Sequence, residues 1–380
     1  MRIENRLFTR DKGWTIINSG QGMQDAQLVL VFGSGTLLSS KNLISDIRSF
    51  YPGAMLFGCS TAGEILGQRV YEDSIAVSAV LFEHTRLKGC MLNFSETESS
   101  RDAGEILSRS FGHQGLVHVL VLCKGLNING SALVQGIRSE LPESVTVTGG
   151  LAGDGARFKE TSVLWNDQLM SDSVAAVGFY SERLKIGYGS LGGWDPFGPE
   201  RLISRSSGNV LYELDNKSAL ELYKKYLGRH AGDLPASGLL FPLSLRVQGD
   251  SSRRIVRTIL SVNEEDQSMT FAGDMPQGGH AQLMKANLDH LVDGAKGAAE
   301  KAFEIMGSSR PALGLLISCV GRKLIMKQRV EEEVEVVQEV LGTQASLTGF
   351  YSYGEISPLT TGESCELHNQ TMTITTFAEY

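Results

Sequence analysis

The sequence lacks the features that mark membrane and secreted proteins. Its longest apolar runs, such as Leu116–Cys123, have the length of a strand and are far short of a membrane span. The N-terminal stretch MRIENRLFTRDKGW carries charges throughout and has no apolar h-region, so no secretory signal is predicted. We expect a cytoplasmic protein that is not inserted in a membrane.

Cysteine and basic charge are also scarce. The five cysteines show no C-x-x-C spacing, which argues against a zinc site, covalently attached c-type haem and a disulfide framework. The formal net charge is −8 and the basic residues form no stripe, so nucleic acid is not an expected partner. A chain of 380 residues, 42% hydrophobic and 21% charged, predicts a globular protein of two domains.

An internal repeat is the main positive feature. Ten residues between Leu30 and Gly63 recur without a gap at an offset of 90, between Leu120 and Gly153. Each copy predicts a strand buried on both faces, a helix ended by proline, a second strand and a glycine-rich turn. A crossover of this size predicts that the two strands are parallel.

A third copy occupies the last 70 residues, where YGEI at 353–356 corresponds to AGEI at 62–65. The expected fold class is mixed α/β: two modules of repeated β-α-β-turn-β units, with parallel and antiparallel strands covered by helices. We divide the chain into a lead segment (1–24), an internally duplicated domain (25–205) and a second domain (206–380). A long helix is predicted over 281–306.

The repeated turns and the last strand carry a resemblance to a known family. The stretches are FGCSTAGEI from Phe57, GGLAGDG from Gly149, GWDPFGP from Gly193, and GFYSYGEISP with HNQTMTITTF from Gly349. Together they resemble FIST proteins, prokaryotic sensory modules with a FIST N and a FIST C domain, over roughly residues 25 to 380.

The resemblance implies a small-ligand sensor of bacterial signal transduction that is not an enzyme. Its implied partner is a histidine kinase or another signalling enzyme. A second copy of the chain, in a homodimer, is a further expected partner. Some stand-alone members of the family sense nitric oxide through non-covalent haem b. The resemblance therefore implies haem b as a cofactor here.

Candidate ligands for haem iron come from the histidines, because a neutral imidazole is the commonest axial ligand. His368 is the first choice, since it lies in a dense polar turn directly before the last strand. His280 is the second, at the predicted head of the long helix. His118 lies in a buried run and is interpreted as a core residue. The predicted ligand-binding residues, with the pocket in the C-terminal copy, are Gly153, Asp154, Tyr353, Glu355, His368 and Asn369.

Other interpretations stay open. The ligand could be an amino acid or similar small metabolite, with Asp154, Glu355 and Asn369 around its ammonium group, or the protein could be a purely structural interaction partner. A nucleophilic Cys59, which the offset of 90 aligns with Gly149, would need a nearby base or cation. Its nearest partner, Glu64, would instead raise the thiol pKa. Colour separates the haem hypothesis from the metabolite hypothesis, because only a haem protein has a Soret band.

Overall fold

The computed structural model describes residues 1–20, 22–246, 254–359, 362 and 364–380. Within these residues the strands are β1 (Arg2–Thr9), β2 (Gly13–Asn18), β3 (Leu28–Gly33), β4 (Met55–Ser60), β5 (Glu64–Leu66), β6 (Arg69–Tyr71), β7 (Ser74–Leu81), β8 (Arg86–Asn93), β9 (Leu116–Cys123), β10 (Thr146–Leu151), β11 (Val163–Trp165), β12 (Gln168–Met170), β13 (Ser173–Tyr180), β14 (Leu184–Leu191), β15 (Trp194–Ser207), β16 (Val210–Leu214), β17 (Lys217–Ser218), β18 (Leu243–Arg246), β19 (Arg254–Arg257), β20 (Ile259–Asn263), β21 (Ser268–Phe271), β22 (His280–Ala286), β23 (Leu313–Cys319), β24 (Ser346–Ser352), β25 (Gly354–Pro358), β26 (Cys365–His368) and β27 (Met372–Glu379). The α-helices are α1 (Gly35–Leu38), α2 (Lys41–Phe50), α3 (Ser100–Arg109), α4 (Gly130–Glu140), α5 (Ala219–Leu227), α6 (Leu288–Met306), α7 (Val320–Met326) and α8 (Val330–Leu341).

Three sheets share one strand order. At the centre of each lie two parallel strands, β3 and β4, β9 and β10, or β23 and β24. The next long strand of the same copy, β7, β13 or β27, pairs antiparallel with the first of them. The predicted mixed α/β class and the third copy of the repeat are therefore confirmed.

The copies exchange strands in a cycle. The hairpin after each central turn joins the sheet of another copy, so that β5 pairs with β24, β25 with β10 and β11 with β4. The strand that leaves a copy also crosses over: β8 pairs with β13, and β14 with β27. The lead segment closes the cycle, because β1 pairs with β7. The third sheet thus takes strands from both sides of the predicted division at residue 205.

A glycine at one place in each second central strand lets two backbones approach closely. A Cβ atom there would stand 1.8 to 1.9 Å from a carbonyl oxygen of the neighbouring strand, which no side chain tolerates. The three residues are Gly58, Gly149 and Gly349. Gly149 therefore corresponds to Gly58, and the alignment with Cys59 at an offset of 90 is wrong by one residue.

A fourth sheet lies between the second and third copies in the sequence. Its strand order is β19-β18-β22-β15-β16-β21-β20, with β17 paired to β16. The predicted helix over 281–306 is wrong at its start, because β22 occupies the first part and α6 begins at Leu288. The side chain of Asn287 caps α6 by accepting from the amide of Asp289 at 3.1 Å. None of the described helices combines the length and apolar character needed to cross a membrane.

Candidate functional site

The three central turns meet in a ring of backbone hydrogen bonds. The amide of each turn donates to a carbonyl of another, and the third bond returns to the first turn: Ala62 N to Tyr351 O at 2.8 Å, Tyr353 N to Leu151 O at 3.2 Å, and Gly153 N to Ser60 O at 2.8 Å. A Cβ atom at Gly153 would stand 2.7 Å from the Ala62 nitrogen, so this predicted site residue is required for the close contact. Residues from all three copies consequently lie around one centre.

Two of the turns place a glutamate in the interior with matching hydrogen bonds. Glu64 accepts from the side chain of Thr61 and from the Ser74 hydroxyl at 2.6 Å and amide at 3.3 Å. Glu355 accepts from the Ser352 hydroxyl at 2.6 Å and from Thr371. In both turns one hydroxyl lies three residues before the glutamate; the other, on Ser74 or Thr371, lies at the start of the next long strand or directly before it, as the repeat requires.

Burial raises the pKa of both carboxyls, because the charged form loses its hydration. The pKa of Glu64 is raised to about 7 and that of Glu355 to about 8, although the hydroxyl and amide donors oppose the shift. In the ring of hydrogen bonds Ala62, Gly153 and Tyr353 hold equivalent positions. Gly155 of the second copy, two residues later, therefore occupies the position of these glutamates. The second turn therefore has no carboxyl at this position.

The turn of the first copy opens on a cavity of about 270 Å³, which we call the Glu64 cavity. All three copies contribute to its wall. The lining residues are Ser34, Thr61, Ala62, Gly63, Glu64, Glu72 and Asp73 from the first copy, Gly155, Ala156 and Arg157 from the second, and Val320, Lys323 and Leu324 from the third.

Charges of both signs line the Glu64 cavity. The ammonium group of Lys323 donates to the Ala62 carbonyl at 2.8 Å and to the Glu72 carboxylate at 2.5 Å. Arg157 projects its half-exposed guanidinium from the second copy. The buried Ser34 hydroxyl has no hydrogen-bond partner among the described residues. The cavity therefore offers cations, carboxylates and an unsatisfied hydroxyl to a ligand.

The equivalent position at Glu355 is covered by the fourth sheet. Thr258 lies between β19 and β20, and its amide donates to Asn369 Oδ1 at 3.4 Å. Gln370 Nε2 donates to the Thr258 hydroxyl at 3.1 Å and to the Leu239 carbonyl at 3.2 Å. Glu355 is fully buried beneath these contacts and does not line the Glu64 cavity.

The structure gathers several predicted ligand-binding residues at the centre, where they bind other parts of the protein. Asp154 is buried and accepts from Arg157 Nε at 3.0 Å and from two backbone amides. The Tyr353 ring stacks on Phe158 with centroids 4.4 Å apart, and its hydroxyl donates to the Gly155 carbonyl at 3.2 Å. Asn369 Nδ2 donates to the Tyr353 carbonyl at 3.3 Å. The Tyr353 contacts hold the second and third turns together, whereas these bonds of Asp154 and Asn369 stay within their own copies.

The two histidines chosen as axial ligands lie in different sheets. His368 is in β26 opposite Glu355, is 3% exposed, and places Nε2 2.8 Å from the Ser357 carbonyl oxygen. His280 begins β22 of the fourth sheet rather than a helix. Neither lines the Glu64 cavity. Among the residues that the structure describes, no group of three His, Cys, Asp or Glu side chains could hold a metal ion.

Two other side chains weighed from the sequence belong to the core. The imidazole of His118 lies 2.7 Å from the Thr146 hydroxyl and 3.1 Å from the Thr148 hydroxyl, and burial lowers its pKa to about 3. Its interpretation as a core histidine is confirmed. Burial also raises the pKa of the Cys59 thiol well above its ordinary value, which disfavours a thiolate nucleophile.

Sequence reasoning missed Lys323 and Arg157 as site residues. Both reach the Glu64 cavity from other copies, through the exchange of strands. The sequence carries no local signal for either residue; the repeated GEI tripeptide marks only Glu64 and Glu355 as equivalent.

Comparisons with known proteins identify the two halves of the chain. A family model described as the FIST N domain matches residues 27–217, and one described as the FIST C domain matches residues 219–358. No curated protein matches the sequence. A solved structure, the cyanuric acid hydrolase from A. caulinodans, is 11% identical over 78% of this chain and 99% of that chain, with a TM-score of 0.19. That score is too low to indicate a common fold.

Proposed function

Because the chain belongs to the FIST family, whose domains are small-ligand sensory modules of signal transduction, we propose that the Glu64 cavity is its ligand site. The proposed ligand is a small zwitterion such as an amino acid. The observation that carries the proposal is the pairing of cations with buried and rim carboxylates in one cavity, with walls from all three copies.

The chemistry of the wall matches the two charged ends of an amino acid. The Arg157 guanidinium and the Lys323 ammonium suit a carboxylate, and a guanidinium can bind one through two parallel hydrogen bonds. Glu64 and Asp73 suit an ammonium group. The cavity of about 270 Å³ lies below the range of about 300–1,000 Å³ for drug-sized ligands, so a small metabolite fits better than a large one.

A ligand in this cavity would contact all three copies and thereby favour the arrangement that brings them together. Its ammonium group would also favour the ionised form of Glu64, so that binding near neutral pH would release a proton from that carboxyl. The signal would pass to a partner such as a histidine kinase, and no catalytic step is required.

The test is calorimetric titration of the full chain with the common amino acids, beside amines and carboxylates that keep only one of the two charged groups. Saturable binding of a zwitterion, lost in Glu64→Gln and in Lys323→Met, is the expected result. Glu355→Gln is the matched control, because it changes the equivalent buried glutamate outside the cavity. Binding that survives both cavity substitutions, or that one charged group alone supports equally well, would rule the site out.

Sensing of nitric oxide through haem b, which the family resemblance implies, stays a second prediction. The residues of the Glu64 cavity do not fit haem, because the volume is small and its lining residues include no histidine. His368 would have to exchange the contact of Nε2 with the Ser357 carbonyl for the iron. A hemin titration of the wild type beside His368→Ala and His280→Ala decides the question. A one-to-one Soret shift that one substitution abolishes supports haem, and the spectrum of free hemin alone refutes it.

A further inference from the structure

A second cavity lies where the second copy meets the fourth sheet. Its volume is about 520 Å³, and we call it the Arg257 groove. One wall comes from α4, with Ser131, Gln135 and Arg138, in the part matched as FIST N. The other wall includes Leu245 and Arg257, in the part matched as FIST C. Ligand sites form preferentially at such domain interfaces, and this volume is within their usual range.

Arg257 is a buried cation whose hydrogen bonds go to neutral acceptors. It is 5% exposed and donates to the Leu367 carbonyl at 2.9 Å, the Ser131 hydroxyl at 3.2 Å and the Asp274 carbonyl at 3.3 Å. No carboxylate of the described residues forms an ion pair with its guanidinium. Burial lowers the pKa of Arg257 to about 10, so the group stays charged at neutral pH. The carboxylates of Glu366 and Asp274 oppose this lowering through their charge but do not cancel it, so a bound anion would further stabilise the buried guanidinium.

Arg138 adds a second cation to the same groove. Its Nη1 donates to the Val145 carbonyl at 2.9 Å, whereas its buried Nε has no hydrogen-bond partner among the described residues. The Asp274 carboxylate, also in the lining, is already bound by the amides of Asn129 at 2.7 Å and Gln135 at 3.5 Å. The lining thus holds three guanidinium groups, of Arg101, Arg138 and Arg257, against two carboxylates, of Asp274 and Glu366, and Arg138 Nε remains a donor for an additional anion.

The remaining lining includes four apolar side chains, Val134, Leu245, Ile255 and Leu367, beside the charged groups of Arg101 and Glu366. An inorganic anion would leave this surface in contact with water, whereas an apolar body would bury it. We propose that the Arg257 groove is a second ligand site, which takes an organic anion with an apolar body, such as a medium-chain carboxylate. The site is independent of the Glu64 cavity and of any ligand there.

The test is calorimetric titration of the full chain with octanoate. Octylammonium and 1-octanol are matched controls, because they keep the chain and change the charge. Octanoate is expected to bind one-to-one and the two controls at least about tenfold more weakly, the ratio that loss of one charge-assisted hydrogen bond produces. Equal binding of octanol, or no binding of octanoate, would overturn the proposal.

Variants locate the site without removing the buried Arg257. Arg138→Gln is expected to weaken octanoate binding at least about tenfold. Gln135→Trp should block the groove from its exposed rim. Arg205→Gln, at an exposed arginine of the fourth sheet, is the control and should bind octanoate like the wild type. Glu64→Gln should also bind it unchanged, which separates this proposal from the first. Undiminished binding in Arg138→Gln and Gln135→Trp would overturn the assignment.

Discussion

Replacing Glu64 by glutamine should flatten the dependence of stability on pH. The pKa of Glu64 is raised from 4.5 to about 7, so the folded protein holds this proton more tightly than the unfolded chain does. The stabilisation is fully present below pH 4.5 and is lost as pH rises through 7. At about 1.4 kcal/mol per pKa unit, the loss amounts to about 3 kcal/mol. Glutamine has no charge to lose, and its amide can bond the hydroxyls of Thr61 and Ser74.

The assay is urea denaturation of the wild type and Glu64→Gln at closely spaced pH values between 5 and 8.5. The difference between the two free energies of unfolding is the quantity to follow, because other groups titrate in the same range. His118, for example, acts in the opposite sense: burial lowers its pKa to about 3, so it destabilises the folded state as pH falls below its unfolded value. Its contribution is the same in both proteins and cancels.

The free energy of unfolding of Glu64→Gln should rise relative to that of the wild type by about 2 to 3 kcal/mol between pH 5 and 8. Glu355→Gln should show the same gain in stability over the wild type, but the gain should continue to a higher pH, because the pKa of Glu355 is raised to about 8. Parallel profiles for wild type and Glu64→Gln would refute the assignment of a buried, proton-binding carboxyl at this turn.

Three further outcomes are expected. Glu333→Gln should lower the free energy of unfolding by about 3–5 kcal/mol in urea denaturation, because it leaves the fully buried Arg322 without the carboxylate 2.7 Å away. Gly349→Ala should abolish cooperative thermal unfolding in circular dichroism, since its Cβ would stand 1.8 Å from a carbonyl oxygen, whereas Gly53→Ala, with open space around it, should melt like the wild type. Affinity for a zwitterion in the Glu64 cavity should rise as pH increases through 7, and calorimetry in two buffers of different ionisation enthalpy should detect proton release at pH 6.

The three-fold repeat could be predicted from sequence because its signals are local. Apolar strands and a turn that contains glycine recur within each copy, and a proline follows the helix in the first two. The register could not be fixed in this way, because Gly149 is the seventh residue after Pro142 whereas Gly58 is the sixth after Pro52. The close approach of backbones at the two glycines and the ring of hydrogen bonds show which residues correspond.

The composition of the site depends on non-local pairing and was harder to predict. Lys323 follows the first central strand of the third copy, yet it contacts the carbonyl of Ala62 in the first. No pattern within either copy indicates that contact, because it follows from the exchange of hairpins. The expectation that His280 lies at the head of a helix was wrong for a related reason. Pairing with β15 and β18 makes residues 280–286 a strand beside a true helix.

The differences among the three copies explain why one cavity is open. The second copy has Gly155 in place of the glutamate, and Arg157 and Phe158 fill the space beside its turn. The third copy keeps Glu355, but the fourth sheet covers it through Thr258. Arg257, the adjacent residue, lines the groove that we propose as an anion site. Of the two equivalent glutamates, Glu64 therefore lines a cavity, whereas Glu355 is enclosed by the protein itself.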